Sequence, residues 1–265
     1  MGNLYGGLSF GSAPNGEPQP GLVSIKPPIG RLADELYGRD AVLADLVTSA
    51  TRADGALIVL HGAGGYGKTA IALGVTRRLW QRDPDFRVWW VDASARPGLV
   101  AGLREVALDA GADLEDVLRA WSGGRSAPDL LNRTLEAAPG PWLLIIDNAD
   151  DVRLLEAQGP FGDGTGRIRS LDRSRGTVLV TTREKSREAW GPAAERHEIR
   201  PLNPVASAAL LTADSPDAGS SAQARDLAAR LGHMPPPSRA SCWTPGCSPR
   251  RPCSTASRRR TWRRP

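Results

Sequence analysis

The chain has 265 residues, with 34 basic and 29 acidic side chains and a formal net charge of +5. That length accommodates one or two domains with a sizeable core. No apolar run approaches the ~20 residues of a membrane helix, and the N-terminus lacks a basic region followed by an apolar stretch, so a cytoplasmic protein is expected.

The positive charge is local. Residues 236–265 carry eight arginines and no acid; the rest holds 26 basic against 29 acidic residues, a net −3. Cys242, Cys247 and Cys253 lie in the same segment. Their spacing gives no C-x-x-C pair and no nearby histidine, so a zinc site is not expected.

Residues 1–29, rich in Gly, Pro, Ser and Asn, read as a flexible leader. Asp40–Val47 reads as a short amphipathic helix. Ala56–Leu60 is an apolar run of strand length, and Thr69–Trp80 carries apolar residues at helical spacing. Phe86–Asp92 predicts a second strand, with the Trp89–Trp90 pair favoured as packing over a binding surface. Helices are predicted over 98–110, 114–122 and 128–137. Trp142–Asp147 is a continuous apolar run ending in an acid, the signature of a strand buried on both faces. Residues 157–175 are loop-like. Gly176–Arg183 and His197–Leu202 predict two more strands, followed by helices over 204–213 and 221–231. Strands alternating with helices imply an α/β fold, a parallel sheet with helices on both faces.

Between the first strand and its helix lies Gly62-Ala63-Gly64-Gly65-Tyr66-Gly67-Lys68-Thr69. It fits G-x-x-x-x-G-K-[ST], the phosphate-binding loop, in the strand–loop–helix context that the motif requires. Glycines let the backbone close around phosphate oxygens and aim N–H groups at them. The helix N-terminus, from Lys68 through Ala70, adds partial positive charge. Lys68 brings a full charge to the β- and γ-phosphates, and the Thr69 hydroxyl is suited to ligate Mg²⁺. The expected fold is therefore a P-loop NTPase.

Such a loop needs a carboxylate at the end of a neighbouring strand to hold the metal. Asp147 occupies that place. Where many ATPases follow this aspartate with a water-orienting acid, this chain has Asn148, which cannot take a proton. Asp150 or Asp151 could substitute, or could cap a helix from Val152, the reading favoured here. A strand ending at Asp92 lies between the loop and Asp147 in sequence, which suits ATPases with an inserted central strand. A GTPase would carry N/T-K-x-D; the lysines are Lys26, Lys68 and Lys185, and none fits. Adenine is favoured by elimination.

With these residues the chain resembles the NB-ARC group of STAND signal-transduction ATPases, from about Ile29 to Pro235. Tyr37-Gly38-Arg39-Asp40 is similar to a family segment that lies over the adenine, which implies contacts from Gly38 and Arg39. Leu143–Asp151 is similar to the second nucleotide motif. Gly176–Arg183 resembles the sensor strand, whose terminal arginine reaches the γ-phosphate; the resemblance gives Arg183 that role. Leu227–Pro235 resembles a segment whose proline, here Pro235, touches the nucleotide from a small helical domain. His233 stands there in place of the usual small residue.

The resemblance implies a division into a leader (1–29), an NTPase domain (30–202), the start of a helical domain (203–235) and a basic tail (236–265). The tail has no Leu, Ile or Val and so cannot pack. Back-translated with G or C at third positions and shifted by one frame, it yields a Leu/Ala-rich string with helical spacing. We therefore expect a frameshift near Pro235–Pro237, with a natural basic tail as the alternative.

Functionally, the resemblance implies a switch that binds ATP or ADP with Mg²⁺ and hydrolyses slowly. The catalytic candidates are Lys68, Asp147, Asp150 and Arg183. A freely turning-over AAA+-like ATPase is one alternative. Non-specific nucleic-acid binding through the tail is another. Self-association through the NTPase domain is left open, and no membrane partner is expected.

Overall fold

The computed structural model describes residues 23–52, 54–169, 175–214 and 219–235. Most of the expected leader, the whole tail with its cysteines, and the frame-shift reading lie outside the described residues.

The elements run in chain order as α1 (Asp40–Thr51), β1 (Leu57–His61), α2 (Lys68–Arg82), β2 (Arg87–Asp92), α3 (Arg96–Asp109), α4 (Leu114–Trp121) and α5 (Ala127–Ala137). They continue as β3 (Trp142–Asp147), β4 (Gly176–Thr182), α6 (Arg187–Trp190), β5 (Glu195–Glu198), α7 (Pro204–Asp214) and α8 (Ser221–Arg230). The predicted elements recur with ends shifted by a few residues. The largest shifts are α1, which runs on to Thr51, and β5, which is centred three residues earlier than expected.

The five strands are all parallel, in the order β2-β3-β4-β1-β5. β4 is thus inserted between the strand that precedes the phosphate loop and the strand that ends in Asp147. This is the inserted-strand P-loop NTPase architecture, with a helical hairpin (α7–α8) after it.

Burial on both faces explains why β2, β3 and β4 read as unbroken apolar runs. One face of the sheet presents Val59, Trp89, Val91, Leu144, Ile146, Val178 and Val180 to α3, α4 and α5. The other presents Ile58, Leu60, Val88, Trp90, Leu143, Ile145 and Leu179 to α1 and α2. Trp89 and Trp90 therefore pack on opposite faces, and both are buried. Trp89 donates its indole N–H to Asp109 at 2.7 Å and tilts against Trp142 with ring centroids 5.5 Å apart. Packing, not ligand binding, accounts for the pair.

β2 is an edge strand, and its outward N–H groups need partners. Trp90 N–H donates to the Ile25 carbonyl at 2.8 Å, and Pro27 is buried. The last residues of the expected leader are thus held against the sheet. Among the described residues, no helix is long and apolar enough to cross a membrane.

Candidate functional site: the phosphate-binding end of the sheet

Parallel strands bring their C-terminal ends to one edge, where open α/β sheets place ligands. Gly62–Thr69, Asp92, Asp147 and Thr181–Arg183 all lie there. The loop itself depends on glycine. Gly67, the residue before α2, has φ +86, a left-handed conformation that a Cβ disfavours. α2, like α3, begins without a side-chain cap or an acid in its first turn, unlike α4, α5 and α8. α4 is capped by Asp113, α5 by Ser126 and α8 by a reciprocal Ser220–Gln223 pair. The leading N–H groups of α2 are left for an anion.

Lys68 Nζ donates to the carbonyls of Gly62 at 2.8 Å and Ala63 at 3.0 Å, so the ammonium arches back over the loop. Burial pulls its pKa down, while the Asp150 charge opposes that shift and Arg183 adds to it. Desolvation of this kind favours exchanging carbonyl partners for a phosphate.

Thr69 Oγ1 donates to Asp147 Oδ1 at 2.9 Å. The same oxygen accepts from Thr181 Oγ1 at 2.6 Å, and Thr181 Oγ1 in turn accepts the Asn148 N–H at 3.0 Å. Asp147 is nearly buried, and burial pushes its carboxyl pKa up against the lowering effect of the two hydroxyls. A hydroxyl and a carboxylate side by side are the hard oxygen donors that suit Mg²⁺. The cradle of uncapped amides, the ammonium and this oxygen pair together fit a Mg²⁺-bound nucleotide. Thr181 went unrecognised in the sequence because a threonine inside an apolar strand reads as packing; its only signal is its place on the strand that ends in Arg183.

Asp150 and Asp151 separate in role. Asp151 accepts the Arg153 N–H at the start of a single helical turn, Val152–Leu155, and pairs with the Arg153 guanidinium. Asp150 does not cap. Its Oδ1 accepts the Arg183 N–H at 2.8 Å, and its Oδ2 lies 2.8 Å from Arg183 Nε. The guanidinium sits against the loop: a Cβ built on Gly64 would meet Arg183 atoms at 3.5–3.6 Å. A Cβ there would make ordinary van der Waals contact with the guanidinium, so the arginine lies directly against the loop.

Arg39 Nη2 donates to the carbonyls of Tyr66 at 3.0 Å and Arg200 at 2.8 Å, linking the segment before α1 to the loop. Gly38 abuts α7, where an added Cβ would stand 2.6 Å from Ala206 Cβ. From the other side, Gly232 and His233 adopt φ +63 and +55 and turn the chain back after α8. That turn brings Met234 to 2.8 Å from a Cβ position on Gly65, and Pro235 to 3.9 Å from one on Gly67. Arg39, Arg183, Met234 and Pro235 thus meet at the loop, whereas Gly38 packs against α7 and its preceding segment. Ala70 follows the loop in the first turn of α2. The contact by Met234 was not legible in the sequence, since a methionine before a proline carries no signal of its own.

No family model matches the chain. It is 30% identical over 179 residues to a nucleotide-binding leucine-rich repeat (NLR)-like protein of Hyaloscypha variabilis, covering 61% of this chain and 17% of that protein. The chain thus spans a small part of the length of that curated relative. Its fold is similar to that of a STAND protein with a tetratricopeptide-repeat sensor from Pyrococcus horikoshii, with a TM-score of 0.51, 18% identity, and 77% of this chain and 29% of that one covered. It is also similar to a Walker-type ATPase of Pyrococcus abyssi, with a TM-score of 0.54, 12% identity, and coverage of 77% and 66%.

Proposed function

Starting from an NB-ARC/STAND-type P-loop ATPase, the type that the NLR-like relative and the STAND neighbour support, we propose that this chain is an adenine-nucleotide switch with slow hydrolysis. The observation that carries the reading is the Arg183–Asp150 pair poised over the loop at Gly64. ATP and ADP differ by one charged phosphoryl group, and a ligand shifts a conformational equilibrium only through its differential affinity for the two states. The pair supplies that difference. Without a γ-phosphate, Arg183 stays on Asp150; with one, the phosphate competes for the same guanidinium.

Lys68 and the amides of the loop would hold the β-phosphate of either nucleotide. Thr69 and Asp147 would hold Mg²⁺, which supplies charge neutralisation at the phosphates when bound. Thr181 fixes the Asp147 carboxylate. Gly38, Arg39 and Pro235 would enclose the nucleoside from the segment before α1 and from the turn after α8. Slow hydrolysis is supported by Asn148, an amide where a base is common, and by the engagement of Asp150 with Arg183. The division into an NTPase domain to 202 and a helical domain from 203 belongs to the same proposal, as does a cytoplasmic setting.

The test is calorimetry with ADP and with a non-hydrolysable ATP analogue, with and without Mg²⁺. Both nucleotides are expected to bind. Arg183→Gln is expected to weaken the ATP analogue about 10-fold or more, the size of one charge-assisted hydrogen bond, and to leave ADP unchanged. Binding of neither nucleotide would overturn the reading.

A further inference from the structure

The site lacks a carboxylate where one would be sought first. Position 148 is an amide, Asp150 gives one oxygen each to the Arg183 N–H and guanidinium, and Asp151 is taken by Arg153. The acids that follow Asp147 in the chain are therefore engaged. One acid of the adjacent strand is not used by any of this. Asp92 ends β2, and the parallel register sets it directly beside Asp147, about 4.8 Å away at the usual strand spacing. It is exposed to solvent. Its Oδ1 accepts the Ser94 N–H at 3.0 Å and the Asn148 Nδ2 at 3.4 Å, and its Oδ2 accepts the Ser94 hydroxyl at 2.9 Å. A carboxylate offers about four acceptor sites, so three contacts fix its orientation and leave one open.

Asn148 explains the pairing from its side. It holds φ +62, a left-handed conformation that asparagine tolerates better than most residues. Its backbone N–H is held by Thr181 on β4, and its side-chain amide reaches Asp92 on β2. The residue thus bridges three strand ends. An acid at 148 would face the Asp92 carboxylate directly, so the amide is the partner that a carboxylate on β2 requires.

We propose that Asp92 is the carboxylate that orients and deprotonates the attacking water, with Asn148 as its positioning residue. The proposal rests on the ATP-binding reading above. In the step it serves, the water oxygen forms a bond to the γ-phosphorus. The bond from that phosphorus to the β–γ bridging oxygen breaks, and its electron pair leaves on ADP. The water proton passes to Asp92 and from there to solvent.

The experiment compares the wild type with Asp92→Asn and with the exchanged double variant Asp92→Asn/Asn148→Asp. It measures Mg²⁺-dependent ATP hydrolysis, ADP affinity by calorimetry, Tm, and, by mass, the nucleotide retained after loading with ATP. Loss of a positioned base costs about 10²–10⁴-fold. Asp92→Asn is therefore expected to hydrolyse at least ~100-fold more slowly, with ADP affinity within about 3-fold and Tm unchanged, and to retain ATP where the wild type retains ADP. The double variant, which puts the carboxylate on the other side of the same hydrogen bond, is expected to recover most of the rate. Hydrolysis by Asp92→Asn at the wild-type rate overturns the assignment. So does a double variant as slow as the single one, which would mark Asp92 as structural. A wild type that binds ATP without hydrolysing it overturns the assignment and leaves the switch standing; a wild type that binds no nucleotide removes both.

Discussion

The sheet and the α7–α8 hairpin are built by the same chain on different terms. Each interior strand of the sheet is covered on both faces, and its apolar side chains are almost wholly removed from water. The hairpin leaves Val205, Leu227 and Leu231 exposed at 77%, 47% and 46%. It is attached through a few specific contacts. Leu202 N–H donates to the His233 carbonyl at 3.0 Å, and Met234 and Pro235 rest near the phosphate loop; within the hairpin, Ser207 Oγ meets His233 Nδ1 at 2.9 Å. Burial fixes the sheet whatever the ligand. The hairpin is held by contacts that end at the candidate site, so on the proposed reading its position is the part that a nucleotide would bias.

The largest expected effect falls on the sheet. Leu144→Ala removes a fully buried side chain of the interior strand β3 and is expected to cost about 2–5 kcal/mol in denaturant unfolding. A cost below ~1 kcal/mol would mean that the sheet is less closely packed than its burial implies. Lys68→Ala comes next. It is expected to weaken ADP and ATP at least 100-fold by calorimetry, while Tm without nucleotide moves by no more than a degree or two, since Lys68 contacts only loop carbonyls through hydrogen bonds.

Asp147→Asn separates stability from function. Because burial raises the Asp147 pKa in the fold, ionisation is disfavoured there. Its contribution to stability is greatest at low pH, where both folded and unfolded forms are protonated, and declines as pH rises through the raised folded value. At neutral pH the amide variant is therefore expected to melt a few degrees higher without nucleotide and to lose the Mg²⁺ dependence of ATP binding. An unchanged or lower Tm at neutral pH would contradict the burial argument.

The smallest effect concerns the hairpin. His233→Ala deletes the bond to Ser207, worth about 1 kcal/mol. It is expected to speed amide hydrogen exchange in α7 and α8 and leave β1, β3 and β4 protected. Equal acceleration in the strands would show that the two regions unfold as one, and the contrast would fail.

How much could be read without the fold follows the same division. The strands, the longer helices, the loop at 62–69 and Asp147 were legible because each depends on a local pattern, whether unbroken apolar runs, 3.6-residue spacing or glycines before a lysine; the four-residue α6 was not expected. The stretch before residue 30 was misjudged at its end, since nothing in Ile25 announces that its carbonyl serves the edge strand at Trp90. An inserted central strand was expected from the sequence, but that β4 is the strand between β1 and β3 needed the assembled sheet.

The division of labour among the acids shows the limit most clearly. Asp92, Asp150 and Asp151 are the same residue type, and two of them are adjacent in the chain. The local pattern of residues determined that acids would gather near the phosphate-binding end. Which acid caps a turn, which holds Arg183 and which faces Asn148 was decided by strand register and by the left-handed turn at Asn148, because hydrogen bonds between strand ends depend on distances that the order of residues along the chain does not encode.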